Sequence, residues 1–260
     1  GGVYDNGTTP TVDIDVVNSL CDNLTFATGG QVVPMPSSYY TLASDQIVIP
    51  KGQISAGVEV QLTDAFFADP KSIETTYVIP LVMSNVQNAD SILSGNPMVE
   101  NPVRCNKGDW NVVPKDYILY AVKYINPWDA VYLRRGVDQV TEGGTTSKVI
   151  RHEQYVENDE VCELTTRSLK DANFGLTLSG QDCNLILAFN DNNECTLSTD
   201  TPGCTVSGTG KYVVKGEKDS FNHKDRDVLY LGTVTYATKD TLVMRDRQVK
   251  AEWFDVAYNK

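Results

Sequence analysis

Apolar and polar side chains alternate at period two in several short stretches near the start of the chain. The clearest are residues 11–17, where three apolar residues alternate with Asp13 and Asp15, and residues 58–63. Successive side chains of a β-strand point to opposite faces of a sheet, so this alternation predicts half-buried strands. Turn signals such as Pro50-Lys51-Gly52 separate them. Short strands joined by turns predict a small β-sandwich.

The alternation lapses between Asn88 and Pro114, where polar residues, glycine and proline are common, so we place a domain boundary near Asn101. About eight to ten longer antiparallel strands beyond it predict a meandering barrel. The predicted fold is therefore all-β, with a sandwich over residues 1–101 and an antiparallel barrel over residues 102–260. The predicted barrel strands lie at 117–125, 131–137, 147–155, 160–169, 175–178, 184–190, 208–214, 228–236, 241–247 and 249–258.

The length of the chain agrees with two domains. Its 260 residues exceed the roughly 100 to 200 residues that usually form a single core. One large β-barrel remains the alternative interpretation of the same strands.

The acidic charge of the chain argues against several partners. Thirty-four acidic residues and 22 basic residues give a formal net charge of −12, and such a surface repels phosphate groups. We therefore expect no binding to nucleic acid or to an anionic membrane surface. No window approaches the roughly 18 apolar residues that span a bilayer. Because the chain begins at Gly1 without an initiator methionine, we expect any signal or lipid anchor to lie upstream.

The six cysteines are an even set without a CxxC pair, and with only two histidines the chain lacks the closely spaced ligands of a structural zinc site. Disulfides in an oxidising compartment are one interpretation. Cys195 and Cys204 are then the easiest pair to join, around the turn at residues 201–203. The alternative is that the cysteines are buried, reduced thiols.

Motifs for catalysis and cofactor binding are missing from the sequence. No GxSxG, GxxxxGK[ST] or strand-linked GxGxxG is present, so we expect neither a serine hydrolase nor a nucleotide site. A pair of carboxylates could hydrolyse a glycosidic bond, but 34 acids nominate no particular pair. The oxygen-rich segment 190–194 could bind calcium, although a polar turn explains it better. We expect no catalytic residue, no metal and no cofactor.

Several motifs carry a family resemblance. In the first domain these are Tyr40-Thr41-Leu42, the run from Ile47 to Gly52, Val58-Glu59-Val60 and the run from Tyr77 to Leu81. They resemble an immunoglobulin-like N-terminal module of unknown function found in Bacteroidetes cell-surface lipoproteins. The resemblance implies an immunoglobulin-like fold for the predicted sandwich.

In the second domain the segments 120–126, 132–136 and 240–247 look like the C-terminal module of the same family, a calycin-like (lipocalin-like) barrel. The turn at residues 127–130 departs from the family pattern, which has a glycine before the aromatic position. Several such lipoproteins occur near polysaccharide-utilisation machinery. The resemblance thus implies a lipid-anchored protein at the outer face of the outer membrane.

Two tryptophans in predicted loops with polar neighbours are candidate sugar contacts. A flat ring can cover the apolar face of a pyranose while planar polar side chains bind its hydroxyls. The candidate ligand-binding residues are Trp110, Trp128, Asp129, Tyr132, Arg134 and Arg135. The alternative is that Trp128 and Tyr132 cap the barrel and that the two arginines pair with acids. Trp253 and Phe254 are expected in the core of a final strand.

The leading hypothesis is therefore a non-catalytic surface lipoprotein that binds glycan in connection with polysaccharide utilisation. The alternative is a structural or adhesive surface protein that engages other proteins. A broad exposed apolar patch or an open sheet edge would favour the alternative. An enzyme would require a deep pocket with two carboxylates of different pKa.

Overall fold

The structure, a computed structural model, describes residues 7–142, 144–178, 181–220, 223–233 and 237–259. It divides into two compact units, Gly1–Tyr124 with Glu252–Lys260, and Ile125–Ala251. Nearly all regular structure in the described residues is β, which confirms the predicted all-β class. No helix among these residues is both long and apolar enough to cross a bilayer.

The first unit is built on a curled, mainly antiparallel sheet. Its strands are β1 (Thr11–Val16), β2 (Leu24–Phe26), β3 (Val33–Pro34), β4 (Tyr40–Leu42), β5 (Gln46–Val48), β6 (Val60–Leu62), β7 (Tyr77–Gln87), β8 (Asn96–Pro97), β9 (Trp110–Val112) and β10 (Tyr117–Val122). The sheet has the order β10-β7-β1-β5, with β3 parallel to β7, while β4 pairs with β6 and β8 with β9. One short helix, α1 (Asp64–Ala68), and 3-10 turns at Asn18–Cys21, Ser37–Tyr39, Pro70–Ile73 and Lys107–Asp109 complete the connections.

Strand β7 separates two small cores. Val78 and Val82 pack on one face with residues that include Leu24. Tyr77 and Ile79 pack on the other face around Phe66 and neighbouring side chains. The sheet is therefore covered on both faces, because its central strand alternates apolar side chains in both directions.

The second unit is a closed antiparallel barrel, which confirms the predicted barrel. Its strands are β11 (Ala130–Glu142), β12 (Thr145–Arg151), β13 (Glu160–Thr166), β14 (Asp171–Leu178), β15 (Gln181–Phe189), β16 (Glu194–Thr199), β17 (Gly208–Lys218), β18 (Asp225–Thr233) and β19 (Ala237–Asp246), with a 3-10 turn at Val156–Asn158. The order is β12-β11-β13-β14-β15-β16-β17-β18-β19, and pairing of β11 with β19 closes eight of these strands. Strand β12 pairs with the far half of β11, beyond the part that contacts β13.

The observed units correct the boundary expected near Asn101. Strand β10 hydrogen-bonds to β7 along its whole length, so residues 102–124 belong to the first unit. The chain also returns after the barrel, where β20 (Val256–Tyr258) pairs with β2. The irregular stretch between β7 and β10 is thus a long connection inside one unit. Sequence cannot distinguish it from a linker, because both are rich in polar residues, glycine and proline.

Candidate functional site

The barrel wall opens between β13 and β14. These strands pair only where residues 164–166 lie opposite 172–174. Residues 160–163 then continue along β11, and residues 175–178 continue along β15. The two strands therefore separate toward one end of the barrel, and a cavity of about 580 Å³ lies at this opening. We call it the wall cavity.

Two arginines and three carboxylates form an ion-pair network on the inner side of the wall cavity. Arg134 donates from Nε and Nη2 to the two carboxylate oxygens of Asp240, each at 3.2 Å. Its Nη1 donates to Glu160 Oε2 at 3.3 Å. Arg151 binds both oxygens of Asp138 at 2.7 and 2.8 Å, and its Nη2 also donates to Asp240 at 2.7 Å. Bidentate charged pairs hold planar groups in fixed orientations, so the network is a preorganised polar surface.

The local sequence explains how these charges reach the inside of the barrel. On β11, Tyr132 packs in the barrel core, and Arg134 lies on the same face, since alternate residues of a strand share a face. The next residue on that face is Gly136, which lies opposite Asp240 in the register. A Cβ at this position would clash with the carbonyl oxygen of Lys239 and would lie 2.7 Å from Asp240 Oδ1. Glycine therefore makes room for the buried carboxylate.

The network shifts the pKa values of Asp138 and Arg151. Burial tends to raise the pKa of Asp138, but hydrogen bonds from Arg151 and Thr238 and the arginine charges lower the pKa to below its ordinary value. Asp138 is therefore ionised at neutral pH. Its contribution to stability is present above the ordinary carboxyl pKa and is lost as the pH falls through the lowered folded-state value. Burial disfavours the charge of Arg151, yet Asp138 and Asp240 raise its pKa overall.

The outer side of the wall cavity carries smaller polar groups. The Thr177 hydroxyl donates to Asp182 Oδ1 at 2.7 Å, and the backbone N–H of Asn184 donates to Thr201 Oγ1 at 2.9 Å. On the inner side, Arg151 Nη1 is buried without a hydrogen-bond partner among the described residues and lies 3.9 Å from Glu160 Oε2. The cavity thus combines fixed charges on one side with hydroxyl, amide and carboxylate groups on the other.

A disulfide joins Cys183 on β15 to Cys204 in the connection between β16 and β17, with the Cα atoms 6.2 Å apart. The prediction that Cys204 pairs with Cys195 is wrong. Cys195 is a free, buried thiol in the barrel core, packed so closely on β17 that a Cβ at Gly210 would lie 2.8 Å from its Sγ. Nearness in sequence was misleading because Cys195 points inward from its strand. The bond ties the connection to the rim of the wall cavity.

Two of the predicted ligand contacts lie in the barrel core. Trp128 is 6% exposed and Tyr132 is 0% exposed. The Trp128 ring stacks on Phe189 with centroids 3.8 Å apart, and the Tyr132 hydroxyl donates to the carbonyl oxygen of Trp128 at 2.8 Å. Neither ring has a face open to a sugar, which corrects the expectation of a stacking site here. The side chains fill the core because the strand and its preceding turn direct them inward.

The other predicted contacts are dispersed. Asp129 accepts hydrogen bonds from the backbone N–H and hydroxyl of Thr166 at 2.7 and 2.8 Å. Arg135 lies on the opposite face of β11 from Arg134 and pairs with Asp159 at 2.6 Å. Trp110, in the first unit, is half-buried and donates from Nε1 to the carbonyl oxygen of Val103 at 2.9 Å.

Of the six predicted residues, Arg134 is the one that lines the wall cavity. Sequence reasoning missed Asp138, Arg151, Glu160 and Asp182. Arg151 and Glu160 lie in predicted barrel strands, whereas Asp138 and Asp182 lie just outside the predicted strands 131–137 and 184–190. The sequence pattern does not say which of these charged residues face inward.

The prediction for the third tryptophan was also wrong. Trp253, expected in the core, is 94% exposed. The chain forms no strand between Gln248 and Asp255, and the neighbouring Phe254 packs edge to face against Phe26 with centroids 6.0 Å apart. Among the three tryptophans, Trp253 therefore offers the most open ring face.

The oxygen-rich segment considered for calcium forms a polar turn. Asn190 Oδ1 accepts backbone hydrogen bonds from Asn192 and Glu194 at 2.9 and 3.0 Å, and Asn193 has a positive φ of 59°. These contacts are typical of asparagine in a tight turn. In the parts of the chain that the structure describes, no group of three histidine, cysteine or acidic side chains is placed to hold a metal ion.

Comparisons with known proteins give a family without an assigned activity. Residues 127–248 match a domain of unknown function (DUF5627), and residues 1–90 match a model described as an N-terminal domain. A crystal structure of a protein of unknown function from Bacteroides ovatus is 52% identical, with a TM-score of 0.85. The match covers 100% of this chain and 87% of the other. No curated protein matches the chain.

Proposed function

Because the chain belongs to a Bacteroidetes family of unknown function with a DUF5627 barrel domain, we propose that it is a non-catalytic protein that binds a neutral, hydroxyl-rich ligand of the glycan class. The observation that carries the proposal is the wall cavity with its preorganised ion pairs. Its volume of about 580 Å³ lies in the range of roughly 300 to 1,000 Å³ that is usual for small-molecule sites. One or two sugar units are a suitable occupant.

The chemistry of the lining favours a neutral ligand. The charged residues that line the wall cavity are Arg134, Arg151, Asp138, Glu160 and Asp182, so the charges nearly balance with an acidic excess. An anionic ligand would meet this excess, whereas sugar hydroxyls can donate to carboxylates and accept from guanidinium and amide groups. Glu160 is 54% exposed on its side chain and is accessible to such a ligand. Recognition would therefore rest on hydrogen bonds, in place of the aromatic stacking expected from sequence.

A binding role without catalysis suits the ionisation of the site. A glycosidase needs one carboxyl group with a raised pKa to act as the acid. In the wall cavity Asp138 has a lowered pKa, because Arg151 holds it ionised. The network orients hydrogen-bonding groups and holds no proton for transfer at Asp138.

The proposed location is the outer face of the outer membrane, through a lipid anchor upstream of the described chain. Two observations support it, the resemblance to surface lipoproteins and the bond between Cys183 and Cys204. Disulfides persist in oxidising compartments and are rare in the cytosol.

Glu160→Ala and Asp182→Ala are expected to weaken binding of a neutral oligosaccharide by about 3- to 10-fold each, the value of one or two lost hydrogen bonds. A glycan array would select the oligosaccharide, and isothermal titration would measure the dissociation constants. Glu163→Ala is the matched control, because Glu163 is an exposed acid on the same strand and does not line the cavity. It should bind like the unmodified protein.

Two results would overturn parts of the proposal. If no neutral glycan binds on the array or in titration, glycan binding is wrong. If Trp253→Ala abolishes binding while the cavity variants bind normally, the ligand site lies at the exposed tryptophan of the first unit and the assignment to the wall cavity is wrong.

A second candidate function, adhesion to other proteins, is favoured by an apolar pair on the outer face of the barrel. Val137 and Ile150 lie directly opposite each other on β11 and β12, and both are exposed, Ile150 by 66%. Beads coated with this protein should adhere less to a surface coated with other proteins when Ile150 is replaced by lysine. The substitution Ile150→Lys places a charge in the apolar contact. Glu160→Ala should leave adhesion unchanged. Equal adhesion of all three proteins would exclude this surface.

A further inference from the structure

Two free cysteines of the first unit lie in the same apolar core. Cys21 ends the 3-10 turn Asn18–Cys21, and Cys105 lies in the long connection between β7 and β10. Both are buried in the same apolar cluster. The Cys105 thiol lies 3.6 Å from the carbonyl oxygen of Leu20, the residue that precedes Cys21. The backbone next to one cysteine therefore contacts the sulfur of the other.

We propose that Cys21 and Cys105 form a second disulfide bond when the chain folds in an oxidising compartment. The contact through Leu20 supports it, and so does the presence of a disulfide elsewhere in the chain. The thiols also interact electrostatically, because the charge of one raises the pKa of the other. This inference does not depend on the proposed ligand.

The reaction is thiol–disulfide exchange with an external disulfide, either a low-molecular-weight disulfide or a disulfide oxidoreductase. One cysteine thiolate attacks the external disulfide, forms a mixed disulfide and displaces one thiolate of the oxidant. The second cysteine then attacks the mixed disulfide and displaces the other. The two cysteines lose two electrons and two protons in all, and the oxidant is reduced to two thiols.

Burial of the two thiols determines when the bond can form. Burial raises the pKa of Cys21 to about 12 and also raises that of Cys105. Because the thiolate is the reactive form, the folded, reduced protein should oxidise slowly. In the unfolded chain both thiols regain an ordinary pKa and are open to the oxidant. The bond should therefore form during folding, and the core should protect it afterwards.

The bond would anchor a segment that has little regular structure. Around Cys105, the segment is held by the ion pair of Arg104 with Asp116 at 3.3 Å and by a hydrogen bond from Tyr117 to the carbonyl oxygen of Arg104. A covalent link to Cys21 would fix this connection to the start of the chain. It would restrict the unfolded chain through a loop on the order of 80 residues.

The two remaining free cysteines are not placed to pair. Cys162 lies on β13 and Cys195 on β16, with β14 and β15 between them in the sheet order. At about 4.8 Å per strand step their Cα atoms are well beyond the roughly 7 Å that a disulfide allows. They serve as internal controls.

The test is thiol mapping of the full chain refolded with reduced and oxidised glutathione. Free thiols are alkylated under denaturing conditions, and the protein is digested with trypsin without reduction. Cleavage after lysine and arginine places Cys21 in the fragment 1–51 and Cys105 in the fragment 105–107. We expect these fragments to be linked, and Cys162 and Cys195 to be alkylated.

Variants make the assignment specific. Cys21→Ser should leave Cys105 open to alkylation, whereas Cys195→Ser should leave the link intact. Oxidation should raise the midpoint of thermal unfolding more in the unmodified protein than in Cys21→Ser, because the variant gains the Cys183–Cys204 bond alone. Alkylation of both Cys21 and Cys105 in a sample whose Cys183–Cys204 bond is complete would overturn the proposal. So would a link from either residue to Cys162 or Cys195.

Discussion

Asp240→Asn is expected to lower the free energy of barrel unfolding by about 3 to 5 kcal/mol, as is usual when one partner of a buried ion pair is removed. The Asp240 side chain is 2% exposed and accepts hydrogen bonds from Arg134, Arg151 and the Thr238 hydroxyl. An asparagine of the same size has one acceptor oxygen and no charge. Two guanidinium groups would then lie in the barrel without their shared counter-ion.

The measurement is urea unfolding in a Trp110→Phe/Trp253→Phe background, in which the fluorescence of Trp128 reports on the barrel alone. Glu160→Gln is the matched control, because it removes a carboxylate from the same network at a side chain that is 54% exposed. Glu160→Gln should lower the free energy of unfolding by less than about 1 kcal/mol. Equal losses for the two variants would contradict the view that burial of Asp240 makes the network essential for stability.

Trp128→Ala should lower the free energy of barrel unfolding by about 3 to 5 kcal/mol, the usual cost of truncating a large buried aromatic residue. The ring is stacked on Phe189 at 3.8 Å and an interplanar angle of 6°. Alanine would leave a cavity beside that ring and beside the buried Tyr132. Differential scanning calorimetry would show the barrel transition at a lower temperature.

Trp110→Ala is the comparison, because this half-buried tryptophan belongs to the first unit. It should leave the barrel transition unchanged. Binding would distinguish the structural role of Trp128 from a role in ligand contact. If Trp128→Ala keeps its stability but loses binding of the selected oligosaccharide, the ring contacts ligand, and its assignment to the core is wrong.

Much of the barrel could be predicted from sequence because period-two alternation and turn residues are local signals. The expected strands at 160–169 and 184–190, for example, overlap β13 and β15. The final expected strand, 249–258, was too long, and β20 occupies only Val256–Tyr258. An exposed aromatic in an extended connection carries the same local pattern as a strand residue. For this reason Trp253 was placed in the core.

The candidate site was harder to predict than the fold. Arg134 was a candidate because planar polar side chains can bind sugar hydroxyls, yet its observed partners Asp240 and Glu160 lie on other strands. No feature of the sequence around Arg134 identifies these two partners. Exposed and buried acidic residues cannot be told apart in the sequence, because both occur within strands of alternating polar and apolar residues.

The sequence by itself determined that this protein is all-β, that it contains an antiparallel barrel and that its surface is acidic. These properties depend on local alternation, turn residues and composition. The tertiary structure decided which charges face inward and which cysteine pairs with Cys204. It also decided that the first unit extends to Tyr124 and includes β20, which pairs with β2. The physical reason is that alternation divides the side chains of a strand into two faces without saying which face is buried. That choice depends on strands that are distant in sequence, and their pairing opens the wall cavity between β13 and β14.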